Sequence, residues 1–394
     1  MLFESTELSK IKLKNKIILS PISLNNCYKN GSVSSNLISF YKKIAQNNVA
    51  MIIVGNACVS SSGISAPNEL RIGEKKYNKG LKKLADTIKK FNCVPAIQLN
   101  HVGPQGNNNY SKQEVVGPSK YIVPDIGVTA RELTIKEIID IENNFEKAII
   151  QAFDTGFEFV ELHLAHGYLL HSFISEHTNK RKDIYGGNET NRFRILKNVL
   201  DKIKNKVDTS KMGAKLSAND FVPLGLNLNK IKNLVQLLDK YNFAYYSISA
   251  GIYETAKMKY IKMKEGSYWD YAKKLKKLTT AKIIAQGNIS SIENANYILQ
   301  NKMGDLIGMA QGIISDPEIA TKMMEGRNEE IFKCLAHVKV GSCHRCRYLK
   351  QKDLTFDCVS PVSWKPKNYN KRIKNISIQL WKKILNEKKT SSKI

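Results

Sequence analysis

The chain has 394 residues, 42% of them hydrophobic, with 62 lysines and arginines against 35 acids and a formal charge of +27. That apolar content excludes an intrinsically disordered chain, and no run approaches the ~18 apolar residues of a membrane span. Seven cysteines in so long a chain do not suggest a disulfide scaffold, and Met1 to Lys10 lacks the apolar segment of a secretory leader, so a soluble, cytoplasmic protein is expected.

Taken in order, eight short apolar runs alternate with helical patterns: Lys16–Pro21, Ala50–Asn56, Val94–Asn100, Phe157–Ala165, Met212–Ala218, Ala244–Gly251, Lys282–Gly287 and Asp305–Gln311. Near-continuous hydrophobic strands are what a parallel sheet buried on both faces requires. The clearest intervening helix is predicted over Thr134 to Phe153. Thr134 and Glu137 form a capping box, Ile138, Ile141, Phe145, Ala148 and Ala152 make one apolar stripe, and Gly156 stops it. Eight such units predict a closed (β/α)8 barrel, the α/β architecture known as the TIM barrel. No G-x-G-x-x-G follows any run, which argues against an open dinucleotide-binding sheet. The long loop from His101 to Leu133, rich in Gly, Pro and Asn, would lie over the catalytic face of such a barrel. The expected organisation is a barrel over 1–330, a Cys-containing extension over 331–366 and a basic tail over 367–394.

The basic residues are spread along the chain and concentrate only in the tail. They read as solvated helix faces rather than as a footprint for nucleic acid or membrane. A small-molecule substrate is the expected partner, with no specific nucleic acid and no membrane; assembly into a homo-oligomer is left open.

The fourth run ends in V-E-L-H-L-A-H-G-Y, Val160 to Tyr168. Alternate residues of a strand share a face, so His163 points into the barrel mouth, and the chain then leaves the strand, bringing His166 and Tyr168 over the same mouth. Two imidazoles can hold a carbonyl oxygen as it takes on negative charge, and a phenol can deliver a proton. Two histidines three apart also fit a metal, and each alone fits a satisfied core residue. Tyr253 and Trp269 could shape a pocket or simply pack. Cys27, Cys58 and Cys93 read as small core residues.

The run H-L-A-H-G-Y, continued as N-K-R-K-D-I-Y-G-G-N-E-T-N-R over Asn179 to Arg192, resembles the Old Yellow Enzyme family of FMN-dependent ene-reductases. The resemblance covers roughly residues 1 to 330. It implies that His163 and His166 bind the activating oxygen of a substrate and that Tyr168 is the proton donor. It implies a scaffold role for Asn179, Arg181, Asp183, Tyr185, Gly186, Gly187, Asn191 and Arg192. It places Ser20 and Pro21 along the flavin, Ser23 beside flavin O4, and the Asn56 backbone and Gln98 at the pyrimidine ring. Gly287, Asn288, Ala310 and Gln311 fall where the family cradles phosphate, which agrees with the general barrel rule.

Three departures stand out. Lys215 replaces the family's arginine near flavin N1 and O2, keeping the charge but losing the bidentate fork. Ala310-Gln311 replaces Gly-Arg, and no arginine follows Gly103. After the barrel, Cys343, Cys346 and Cys358 resemble the cysteines of larger relatives similar to 2,4-dienoyl-CoA reductases, which hold a 4Fe–4S cluster; here Leu349 occupies the third position. A remnant, a zinc site recruiting Cys334, His337 or His344, and a substituted cluster are the open readings, and no metal is carried forward. The chain stops at Ile394, so no internal electron relay is expected.

The implied function is an FMN-dependent oxidoreductase that uses NADH or NADPH to reduce an activated alkene, such as an α,β-unsaturated carbonyl, by ping-pong hydride transfer. The competing readings are a flavin-binding regulatory relative that has lost catalysis and, on charge alone, a nucleic-acid binder.

Overall fold

Each of the eight apolar runs falls on a parallel strand, the second of which extends past Asn56 to Cys58: β1 (Ile17–Leu19), β2 (Met51–Cys58), β3 (Val94–Asn100), β4 (Phe159–Leu164), β5 (Met212–Ser217), β6 (Tyr245–Ser249), β7 (Lys282–Gln286) and β8 (Leu306–Met309). They hydrogen-bond in chain order and β8 returns to pair with β1, closing a (β/α)8 barrel. Helices follow in turn: α1 (Ser35–Ala45), α2 (Asn78–Lys89), α3 (Ile135–Asp154), α4 (Arg194–Ile203), α5 (Leu228–Asp239), α6 (Trp269–Lys276), α7 (Ile292–Gln300) and α8 (Ile319–Met324). This computed structural model describes residues 1–123, 127–255, 266 and 268–332. The cysteines from Cys334 to Cys358, with their histidine neighbours, and the basic tail lie outside the described residues.

The local rules behind the elements are visible at α3. Thr134 Oγ1 accepts from the Glu137 N–H (3.2 Å) while Glu137 Oε2 accepts from the Thr134 N–H (2.8 Å). Such a cap contributes about 1 kcal/mol. The stripe Ile138, Ile141, Phe145, Ala148 and Ala152 is buried against the barrel. Gly156, at φ +93°, lets the chain reverse into β4 as few other residues could.

Period-two alternation gives the strands two buried faces of different character. Outward residues pack under the helices in one continuous apolar core. Inward residues near the strand starts (Ile18, Met51, Ile53, Ala96, Phe159, Tyr245, Ile284, Leu306) make a second apolar cluster. Leu8 and Leu13 join that cluster from an N-terminal hairpin, Thr6–Leu8 paired with Ile11–Leu13, which plugs the lower end. Nothing in the sequence reading anticipated the hairpin. One step further along the inward face the residues turn polar: Gln98, Glu161, Lys215, Ser247 and Gln286, all buried. The barrel is therefore apolar at its base and polar beneath its mouth, the end where barrel sites are built.

The loop after β3 has internal structure. It contains a three-residue turn, Gly103–Gln105, a short helix, Asn108–Ser111, and a small sheet of Val116–Gly117, Tyr121–Ile122 and Thr129–Glu132. Arg181 pins it from the far side. Its Nη1 donates to the Pro118 and Leu133 carbonyls (2.8 and 2.7 Å) and its Nε and Nη2 grip Asp183. Asn179 Nδ2 donates to the Phe173 and Tyr185 carbonyls (both 2.8 Å). Arg181 therefore ties the loop to the segment after β4, which Asn179 braces from within.

Candidate active site

The sharp exit from β4 builds the centre of the site. His166 and Gly167 both adopt left-handed backbone, φ +63° and +81°. That conformation costs a non-glycine residue about 1 kcal/mol or more, and three contacts hold His166 in it. Its N–H donates to Ser217 Oγ (3.0 Å), its carbonyl accepts from Gln105 Nε2, and its Nε2 lies 2.7 Å from Ser249 Oγ. Ser217 is held in turn by donating to the Gly251 carbonyl (3.0 Å). The turn carries the chain back over the mouth, so three rings converge. The His163 centroid is 5.2 Å from that of His166 and 4.7 Å from that of Tyr168, both edge-to-face.

Burial fixes the protonation of these groups. It holds the His163 imidazole well below its ordinary pKa, helped by His166 and the Lys215 ammonium. It lowers His166 to about 3, again with Lys215. Both rings are neutral at pH 7, so each offers one N–H. His163 Nδ1 is buried without a partner among the described residues, and Ser249 occupies only Nε2 of His166. The Tyr168 phenol is raised to about 12 by burial, with the Glu69 carboxylate adding to it. It keeps its proton at neutral pH and can release it only to a strong base.

Beneath the rings lies the polar layer. Glu161, fully buried, accepts from Gln98 Nε2 (2.7 Å) and Ser247 Oγ (2.8 Å). Lys215 sits between His163 and Ser247 in the strand register, and its ammonium donates to Gln286 Oε1 (3.2 Å). Ser20 Oγ donates to the same oxygen (2.9 Å). Burial pushes the Glu161 carboxyl up and the Lys215 ammonium down, while each opposes the other's shift.

The remaining candidates fall around this layer. Pro21 packs against Gly55, where a side chain would meet its Cβ at 2.3 Å. Ser23 Oγ donates to Asn25 Oδ1 (3.1 Å). The β2–β3 register slips between Val54 and Ala57, a bulge that takes the Gly55–Asn56 backbone out of the ladder, as bulges beside sites commonly do. The Asn56 side chain is turned away to Glu69 Oε1 (2.7 Å), leaving its backbone as the part a ligand could use. Gly287 and Asn288, φ +114° and +56°, end β7 beside Ala310 and Gln311 at the end of β8. The two turns touch, since a side chain on Gly312 would meet the Ile289 carbonyl at 3.3 Å. The structure thus gathers these residues, with the three rings, at one end of the barrel.

Sequence reading missed Gln286, Ser249, Ser217 and Glu69. Gln286, Ser217 and Ser249 each carried a signal, as a polar residue near the end of an apolar run; Glu69 carried none. Tyr253 lines a small cavity with Gln105, Gly167 and His171. Trp269 is buried against Gly266. Cys27, Cys58 and Cys93 are buried, and burial raises their thiols.

These residues suit the FMN that the sequence resemblance implies. A pyrimidine ring offers carbonyl acceptors and one N–H. The layer offers Lys215, the buried Nε2 of Gln286, which has no partner among the described residues, and the carbonyl oxygen of Gln98, whose nitrogen is taken by Glu161. Gly287 and Asn288, both at positive φ, form the turn after β7, where barrels commonly bind phosphate.

The family model described as NADH:flavin oxidoreductase / NADH oxidase matches residues 1–330. A protein named NADH oxidase from Thermoanaerobacter brockii is 32% identical over 340 residues, 85% of this chain and 52% of that protein. A protein named NADPH dehydrogenase from Bacillus subtilis (strain 168) is 27% identical over 331 residues, 84% of this chain and 96% of that protein. This chain therefore spans about half the length of the first and nearly all of the second. The solved Old Yellow Enzyme homologue from Zymomonas mobilis superposes with a TM-score of 0.74 over 84% of this chain and 94% of its own, at 20% identity. That likeness concerns the fold.

Proposed function

The chain belongs to the NADH:flavin oxidoreductase / NADH oxidase family, and on that premise we propose that its barrel mouth uses FMN and NAD(P)H to reduce an electron-poor alkene. The observation that carries the reading is the convergence of His163, His166 and Tyr168 over a buried layer of flavin-suited donors. Bound FMN would supply hydride transfer, accepting from the reduced nicotinamide and giving to the alkene, with the two substrates using one mouth in turn.

The protein's own share is orientation and proton control. The neutral imidazoles of His163 and His166 donate to the carbonyl oxygen of the alkene substrate, where negative charge grows. A preorganised donor of this kind is worth about 3–4 kcal/mol. Their neutrality matters, because an imidazolium would give its own proton to the developing enolate in place of Tyr168. Tyr168 protonates the carbon next to the carbonyl, which is basic enough to take a proton from a phenol of pKa about 12. Ser249 and Ser217 fix His166, and the loop pinned by Arg181 helps to wall the site from water.

An anaerobic visible spectrum of the purified protein tests the reading. Flavin bands near ~370 and ~450 nm should bleach on adding NADH or NADPH and return on adding an α,β-unsaturated ketone. Bands that bleach but do not return with any such acceptor would overturn alkene reduction. A protein that takes up no FMN would overturn the whole reading.

A further inference from the structure

Gln286 is locked by its neighbours into one orientation. An ammonium has only hydrogens to give, so the amide atom facing Lys215 Nζ at 3.2 Å is the oxygen. The same oxygen accepts from Ser20 Oγ at 2.9 Å. The opposite flip would set an NH2 group against the ammonium, so it is excluded on charge alone. The amide nitrogen therefore faces away from both, and it is buried with no acceptor among the described residues. An unsatisfied buried donor costs about 1–3 kcal/mol, so one that faces a candidate ligand site calls for an acceptor there. Gly308 keeps the space, because a side chain there would meet Ser20 Oγ at 2.6 Å and Gln286 Cβ at 3.2 Å.

We propose that Gln286 is a cofactor-binding residue that donates through Nε2 to an acceptor at the pyrimidine end of FMN, beside Lys215. The inference rests on the flavin reading above and adds a residue to it. Ser20 and Lys215 aim the amide, and Gln286 in turn holds the ammonium. Cation and second donor, which one guanidinium would supply from a single side chain, are here divided between two strands, β5 and β7. A donor at that end favours the reduced cofactor, on which more negative charge accumulates, so Gln286 raises the flavin potential as well as the affinity.

Two variants separate this from a packing role. Gln286→Glu keeps an oxygen for Ser20 and Lys215 but turns the donor into an acceptor; Gln286→Leu removes both. The measurements are the FMN dissociation constant by flavin fluorescence, the midpoint potential by spectroelectrochemistry, and the melting temperature of the apo-protein. The expected result is FMN binding weakened roughly tenfold in Gln286→Leu and further in Gln286→Glu, each with a lower potential. Apo-Gln286→Glu should melt no lower than the apo-parent, because its carboxylate still satisfies Lys215. Parent-like affinity and potential in both variants would overturn the proposal while leaving the flavin reading standing. A parent protein that binds no FMN would overturn both.

Discussion

Replacing Tyr168 by Phe removes one oxygen and leaves the ring that packs 4.7 Å from His163. Among the described residues the phenol makes no hydrogen bond that holds the fold together, so folding stability should change by less than about 1 kcal/mol. The chemical loss should be larger. With its pKa raised to about 12, the group is ionised at only ~1 part in 10⁵ at pH 7, so nearly every molecule carries the proton. A positioned general acid contributes roughly 10²- to 10⁴-fold, or about 3–5 kcal/mol of barrier. Anaerobic stopped-flow can follow the two halves of the reaction apart. Reduction by NAD(P)H needs no proton from Tyr168 and should stay within about threefold of the parent. Reoxidation by an enone should slow by the full factor. Equal slowing of both halves would mean that Tyr168 shapes the pocket and is not the acid, and unchanged reoxidation would place the proton source elsewhere.

Arg181→Ala strips two buried carbonyls, Pro118 and Leu133, of their donor and should cost about 2–4 kcal/mol in urea unfolding. Hydrogen exchange should quicken in residues 101–133 first, and uniform quickening would refute a local anchor. At position 166 the backbone is left-handed, so His166→Val should lose ~1–2 kcal/mol more stability than His166→Gly; equal melting temperatures would mean that the turn relaxes freely. His101 and His166 are each held to about 3, against 6.5 in an unfolded chain. The unfolded chain then takes protons first as pH falls, so their stability is present above pH 6.5 and lost on the way down to 3. Urea titrations at pH 7 and 4.5 should show a clear drop that His101→Asn makes smaller, and greater stability at pH 4.5 would contradict the sign.

The fold was legible because barrel strands announce themselves twice, by apolar runs and by the helices between them. All eight runs fall on a strand, and α3 begins one residue after the capping threonine. The ends were less legible. Leu8 and Leu13 lie on strands of three residues each, too short for periodicity to show. The bulge at Gly55–Asn56 depends on Pro21 approaching Gly55 from 34 positions away, which spacing along one strand cannot reveal. The rings of the site were readable because they sit within six residues at one strand end. Their supports, Ser217, Ser249 and Gln105, come from three other segments.

Lys215 shows why a departure from a motif is best judged in three dimensions. Read along the chain, lysine in place of arginine is a loss of donors. In the barrel, its ammonium lies within reach of Gln286, a residue 71 positions later, with Glu161 close enough below to favour its charge. A guanidinium in that place would be longer and would compete with Gln286 for the same volume between β5 and β7. Lys215 and Gln286 therefore belong together, and Lys215→Arg alone should crowd Gln286 rather than restore a fork. The double variant Lys215→Arg with Gln286→Val frees that volume and should bind FMN more tightly than Lys215→Arg does. Fluorescence titration decides the point: if the single variant binds as tightly as the double, the two positions are independent, and the lysine is a simple weakening after all.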